Sequence, residues 1–195
     1  MMTLELQRLP ARIDGFDRSD GPDDSAPSGM LARWTGFAKR RPWMSLAALG
    51  VATQAVGLIG LPFTARAIGD WYDKLNKPSF NPPSSVFGPV WTGLYAAMAG
   101  SAWLVSRAEA SERQRRALKL FAGQLALNAV WTPLFFGAKA PGVALVEISA
   151  LLVAVVATTG ASFAVRPAAG ALLVPYAGWV AFATVLNASI VALNR

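Results

Sequence analysis

The side chains in this sequence that could do specific chemistry are aromatic rings and amides, not acids and bases. The 195 residues include no His and no Cys, which excludes imidazole general bases, thiolate nucleophiles, disulfides and zinc-type ligand sets together. Seven tryptophans and a few isolated amides remain, and their spacing is helical. Trp91 and Tyr95 stand at i and i+4; Asn128, Trp131 and Phe135 share a helical face, as do Trp179, Ala183 and Asn187. Three segments thus each present an aromatic stripe. Rings of this kind stack on a flat apolar molecule, while indole N–H and amide groups meet a polar rim.

The elements that must carry these stripes are membrane spans. Hydrophobic residues make up 54 % of the chain and charged residues 15 %, and the charges cluster between apolar runs rather than spreading along the sequence. Five such runs follow one another: Pro42 to Ala65, Ser84 to Ser106, Leu120 to Ala138, Ala140 to Val165 and Pro167 to Asn194. Each meets or approaches the roughly 20 residues that a helix needs to cross the hydrocarbon core. The short connections around Lys139 to Gly142 and at Arg166 and Pro167 force antiparallel neighbours. The expected fold is an all-α membrane protein, a bundle of five transmembrane helices spanning residues 41–195. Continuous apolar runs without strict alternation argue against a β-barrel. Residues 1–40 read as a disordered acidic and basic extension outside the bundle; residues 1–29, with Asp14, Asp17, Asp20, Asp23 and Asp24 among Gly, Pro and Ser, are too polar to bury.

The net charge of +7 does not point to nucleic acid, because the basic residues flank hydrophobic spans, where they fix topology and meet anionic lipid headgroups. Arg33, Lys39, Arg40 and Arg41, the group from Arg107 to Lys119, and Arg166 all fall on one side of the bundle. In a bacterial cell membrane that side, with the amino terminus, is cytoplasmic and the first loop faces outward. This loop, Arg66 to Pro83, is aromatic and stiffened by proline. It suits an interfacial cap, a lid over a cavity, or both.

Trp43 and Trp103 sit near span ends, where indole favours the interface. Trp131 and Trp179 lie deeper. Core packing accounts for one deep tryptophan, but an unpaired indole N–H or amide at membrane depth costs about 1 to 3 kcal/mol. Asn128 and Asn187 therefore form a small polar set with the indoles inside an aromatic box, an arrangement suited to a flat, amphipathic macrocycle. Glu147 is the one ionisable residue well inside a span and a candidate by that fact; snorkelling, or pairing with Lys139 or Arg66, is the plainer expectation. Ala122 with Ala126 and Ala96 with Gly100 suit either a homodimer seam or packing within the bundle.

The run Trp71-Tyr72-Asp73-Lys74-Leu75-Asn76-Lys77-Pro78-Ser79-Phe80-Asn81-Pro82-Pro83, followed by Val86-Phe87-Gly88-Pro89-Val90-Trp91-Thr92-Gly93-Leu94-Tyr95, resembles the first-loop and second-helix signature of the TspO/MBR family of tryptophan-rich proteins. The block from Gln124 to Phe136 is similar to the family's third helix, and that from Val174-Pro175-Tyr176 through Trp179 to Asn187 to its fifth. The resemblance implies a five-helix bundle with a cavity beneath the first loop, lined by Trp71, Trp91, Tyr95, Asn128, Trp131, Trp179 and Ala183. It further implies a porphyrin ligand such as protoporphyrin IX or haem, a role in sensing or regulating tetrapyrrole metabolism, and a homodimer, with no obligatory cofactor. Light-dependent porphyrin breakdown and transport of porphyrins or small hydrophobic molecules are the alternatives. The sequence departs from the family pattern at Ser79-Phe80, where a second indole is common, and at Leu186-Asn187-Ala188, which breaks the sterol-type motif of animal members.

Without His or Cys the iron of haem lacks its usual axial ligands. Iron-free protoporphyrin IX should therefore bind about as tightly as haem in parallel titrations. A preference for haem of about tenfold, near 1.4 kcal/mol, would reveal an iron ligand of another kind, a Tyr or Met side chain.

Overall fold

The computed structural model describes residues 29–195. The acidic stretch of the amino-terminal extension lies outside the described residues. Helix α1 covers Gly29–Arg40, α2 Pro42–Ala67, α3 Ser84–Ser106, α4 Glu112–Thr132, α5 Pro141–Val165 and α6 Pro167–Leu193. One 3₁₀ turn, Tyr72–Lys74, interrupts the first loop, and α4 continues into a π-helical turn, Pro133–Gly137.

Helix starts follow from local chemistry. Proline stands in the first turn of α2, α5 and α6, where its fixed φ suits a helix and its missing N–H costs nothing. Ser111 caps α4, its hydroxyl accepting from the Gln114 amide at 3.2 Å. That cap explains why α4 begins well before Leu120: the basic run Arg113 to Lys119 is helical, not loop. The buried Gln114 side-chain amide in turn donates to the carbonyls of Val105, Ser106 and Ala108, closing the end of α3.

The extension was expected to run to residue 40, and here the structure differs. Residues Gly29–Arg40 are helical because Leu31, Trp34, Phe37 and Ala38 recur at helical spacing. Ala38 is fully buried, and the Trp34 indole donates to Ser106 Oγ at 3.0 Å. Trp103 stacks on Trp43 at 6.3 Å, donates to the Pro42 carbonyl at 2.9 Å and carries the Arg107 guanidinium over its ring.

Among the described residues, four helical segments are long and apolar enough to cross a membrane: α2, Glu112–Gly137, α5 and α6. Helix α3 is not among them. Its 23 residues carry no charge, but Trp91, Tyr95, Trp103 and several Gly and Ser residues lower its hydropathy. The outer faces present large apolar side chains throughout, Val51, Val146 and Val153 each being more than 70 % exposed, as lipid-facing positions require.

Helix α5 packs most extensively on α6 and α4, α2 packs on α3, and α3 closes the bundle against α6. The main core gathers Met98, Phe121, Leu151, Val155, Leu173 and Tyr176, and a second cluster around Phe135, Leu186 and Ile190 lies beneath the first loop. Helix α2 approaches its neighbours closely at two glycines. A Cβ on Gly57 would stand 2.5 Å from the Tyr95 ring, and one on Gly60 2.9 Å from Thr132 Cγ2. Gly57→Leu should therefore push α2 from α3 and lower thermal stability in detergent by about 1–3 kcal/mol, the usual cost of overpacking. Gly88, with open space around its Cα, should accept alanine with little change in melting temperature.

Candidate functional site

A cavity of about 800 Å³ lies between α2, α3, α4 and α6 beneath the first loop, within the range of pockets that enclose sizeable organic ligands. Trp91, Tyr95, Asn128, Trp131, Trp179 and Ala183 all stand on its wall, as do Phe87, Phe135 and Asn187. Six of the seven residues expected to gather therefore do so.

Trp71 does not. It packs edge-on against Phe135 at 5.8 Å, behind the wall, and the adjacent Tyr72 takes the lining position. Trp71 stands just ahead of the 3₁₀ turn Tyr72–Lys74, and it is Tyr72 and Asp73 within the turn that reach the cavity. Burial raises the Tyr72 phenol above its ordinary pKa. It stays protonated at neutral pH and donates to Asn81 Oδ1 at 3.3 Å.

The aromatic wall is coupled ring to ring. Trp91 stacks on Tyr95 at 5.3 Å and meets Tyr176 edge-on at 6.3 Å. Trp131 stacks on Phe135 at 5.0 Å, and Trp179 lies between Phe87 and Phe182. The π turn after Thr132 sets Phe135 and Phe136 in T-shaped contact at 4.8 Å while both line the cavity. From the loop, Phe80 folds onto Phe182.

Polar groups in this apolar setting satisfy one another. Tyr95 Oη donates to Asn128 Oδ1 at 2.9 Å; Asn128 Nδ2 donates to Tyr176 Oη at 2.9 Å; and Tyr176 Oη donates to Gln124 Oε1 at 3.0 Å. The chain ties α3, α4 and α6 together. Separately, the Trp131 indole donates to Asn187 Oδ1 at 3.3 Å, and Asn187 Nδ2 donates to the Pro141 carbonyl at 2.9 Å. Gln124 and Tyr176 were visible within the sequence blocks but not singled out. Their signal was a second amide one turn before Asn128 and a lone phenol, each inside a span.

The lid is fastened from outside the cavity. Asn76 N–H donates to Asn194 Oδ1 at 2.9 Å, and Asn194 Nδ2 returns a bond to the Asn76 carbonyl at 2.8 Å. Lys74 pairs with Asp70 at 3.0 Å and holds that carboxyl below the usual carboxylate range, while Lys139 reaches the same group at 4.0 Å. Glu147 therefore does not pair with Lys139 or Arg66. Both its carboxyl oxygens are buried without a hydrogen-bond partner among the described residues, and it stands outside the cavity wall. Among the described residues no group of three His, Cys, Asp or Glu side chains could hold a metal.

The family model for the TspO/MBR family matches residues 34–193. The chain belongs to the TspO/MBR family. It is 41 % identical over 148 residues to the Translocator protein of Homo sapiens, a match covering 75 % of this chain and 88 % of that relative. It is 43 % identical over 138 residues to the Tryptophan-rich sensory protein of Cereibacter sphaeroides, covering 69 % and 85 %. To the Tryptophan-rich protein TspO of Archaeoglobus fulgidus it is 38 % identical over 151 residues, covering 77 % and 97 %. This TspO/MBR chain is thus a helical integral membrane protein with an aromatic cavity below its first loop.

Asn128→Leu removes the partner of two buried phenols at once, and unsatisfied groups of this kind cost about 1–3 kcal/mol. Tyr95→Phe removes one bond and leaves the Asn128–Tyr176–Gln124 part intact. Melting curves in detergent should rank Asn128→Leu well below Tyr95→Phe, with wild type highest. Equal melting temperatures for all three would show that the polar chain does not hold the helices.

Proposed function

We propose that this TspO/MBR protein binds a tetrapyrrole of the porphyrin class within the cavity and acts as a sensor or regulator of tetrapyrrole metabolism. The observation that carries this reading is the convergence of Trp91, Tyr95, Trp131 and Trp179, with the amides of Asn128 and Asn187, on one cavity of about 800 Å³. Four rings from three helices offer faces for stacking, and the amides and indoles supply a few fixed polar contacts, the composition suited to a large flat ligand. The name of the Cereibacter sphaeroides relative, Tryptophan-rich sensory protein, supports a sensing role.

In this reading helix α3 crosses the bilayer as a fifth span, because α2 and α6 on either side of it do so and its own length is sufficient. The amino terminus is cytoplasmic in a bacterial cell membrane, and the loop that covers the cavity faces outward. The protein needs no obligatory cofactor, the porphyrin or haem being ligand. It works as a homodimer, for which Ala122 and Ala126 are available on the exposed face of α4.

Titrating protoporphyrin IX into detergent-purified protein should give saturable quenching of tryptophan fluorescence in the micromolar range. A Trp91→Ala/Trp179→Ala variant that keeps its helical circular dichroism should lose saturation. Unchanged affinity in that variant would remove the tetrapyrrole from this cavity.

A further inference from the structure

Among the described residues, only two charged side chains stand on the cavity wall, Asp73 and Lys77, both from the lid. They are not equivalent. Asp73 is exposed, and its Oδ2 accepts the Gly69 amide at 3.0 Å. Lys77 is half-buried, and its ammonium lies over the Tyr72 ring at 4.7 Å. Its hydrogen-bond partners are the Asp73 and Leu75 carbonyls, each at 3.3 Å. No carboxylate lies within 4 Å of it among the described residues, whereas Lys74 and Lys139 on the same face share Asp70.

An ammonium held by neutral carbonyls and a ring face, beside an apolar cavity, is an incomplete ion pair. Its third donor has no hydrogen-bond partner among the described residues, and partial removal from water raises the value of an anionic partner. The floor of the cavity holds no charge: Asn128, Asn187 and the aromatic rings are neutral. A ligand seated there would meet its single cationic contact at the mouth.

We propose that Lys77 selects ligands bearing a carboxylate, which pairs with its ammonium at the cavity mouth while the apolar body of the ligand lies among the tryptophans. The inference rests on the reading of the cavity as a ligand site and adds the chemical class of the ligand's polar end. Tyr72 and the two backbone carbonyls set the ammonium in place before the ligand arrives, so little side-chain freedom is lost on pairing.

The test compares protoporphyrin IX, which carries two free propionates, with its dimethyl ester, in which the macrocycle is unchanged and both acids are blocked. Tryptophan quenching is read for wild type, Lys77→Met, Lys77→Arg and, as a control outside the cavity, Lys74→Met. Lys77→Met should weaken binding of the diacid about tenfold, as expected for loss of one charge-assisted contact. It should leave ester binding unchanged, which also shows that the lid and cavity remain formed. Lys77→Arg should restore diacid affinity, and Lys74→Met should match wild type. If Lys77→Met binds both ligands in the wild-type ratio, the carboxylate role is overturned while the cavity stands as a porphyrin site. If wild type gives saturable quenching with neither ligand, the porphyrin reading fails and this proposal falls with it.

Discussion

Tyr95, Asn128, Tyr176 and Gln124 bury their polar ends together between α3, α4 and α6, and much of the bundle's arrangement depends on that meeting. Each of the four side chains would be costly at membrane depth without a partner. Helix association in lipid has little hydrophobic driving force, so close packing and hydrogen bonds across helices decide the arrangement. This chain of bonds sets the rotation of all three helices. Once Tyr95 and Tyr176 point at Asn128, the aromatic stripes on the same faces must point at one another.

The cavity follows from that rotation and from two local devices. Glycines at 57 and 60 let α2 approach Tyr95 and Thr132 without a side chain between them, so α2 closes one wall with backbone and leaves room for the rings opposite. The π turn at Pro133–Gly137 gives the end of α4 an altered pitch, which lets Phe135 and Phe136 both line the cavity although they are adjacent in sequence. The lid is fixed by other means, through polar bonds between Asn76 and Asn194 and through rings packed on Phe135 and Phe182. Floor and lid are thus held by different interactions: the floor by buried hydrogen bonds, the lid by contacts at the bundle's rim, where exchange with solvent is easier.

Span positions were legible because hydropathy is a one-dimensional property: α3, α5 and α6 begin and end within a residue or so of the apolar runs. Two boundaries were not. Helix α4 starts at a serine cap ahead of charged residues, where hydropathy is silent and capping decides. Helix α1 lies in a stretch too short and too basic to span, and its order comes from Trp34 and Ala38 finding partners on the bundle. Among site residues, Trp91, Tyr95, Asn128, Trp131, Trp179 and Ala183 were legible because helical spacing puts them on shared faces and the family resemblance implies that those faces line a cavity. The exchange of Trp71 for Tyr72 was not, since the direction of a side chain in an irregular loop depends on backbone angles that spacing does not encode.

By itself the sequence determined the solvent, the helices and the kind of contact available. A chain with so few charges, gathered between apolar runs, is a membrane bundle; one without His or Cys must recognise ligands through rings, amides and the occasional ion. Tertiary structure decided which amide serves which phenol, that Gln124 and Tyr176 belong to the same chain of bonds as Asn128, that Glu147 lacks the pairing open to it, and that Lys77 rather than Lys74 meets the cavity. The physical reason is that hydropathy and helical period act along the chain, whereas a hydrogen bond or an unpaired charge is defined by what stands across from it.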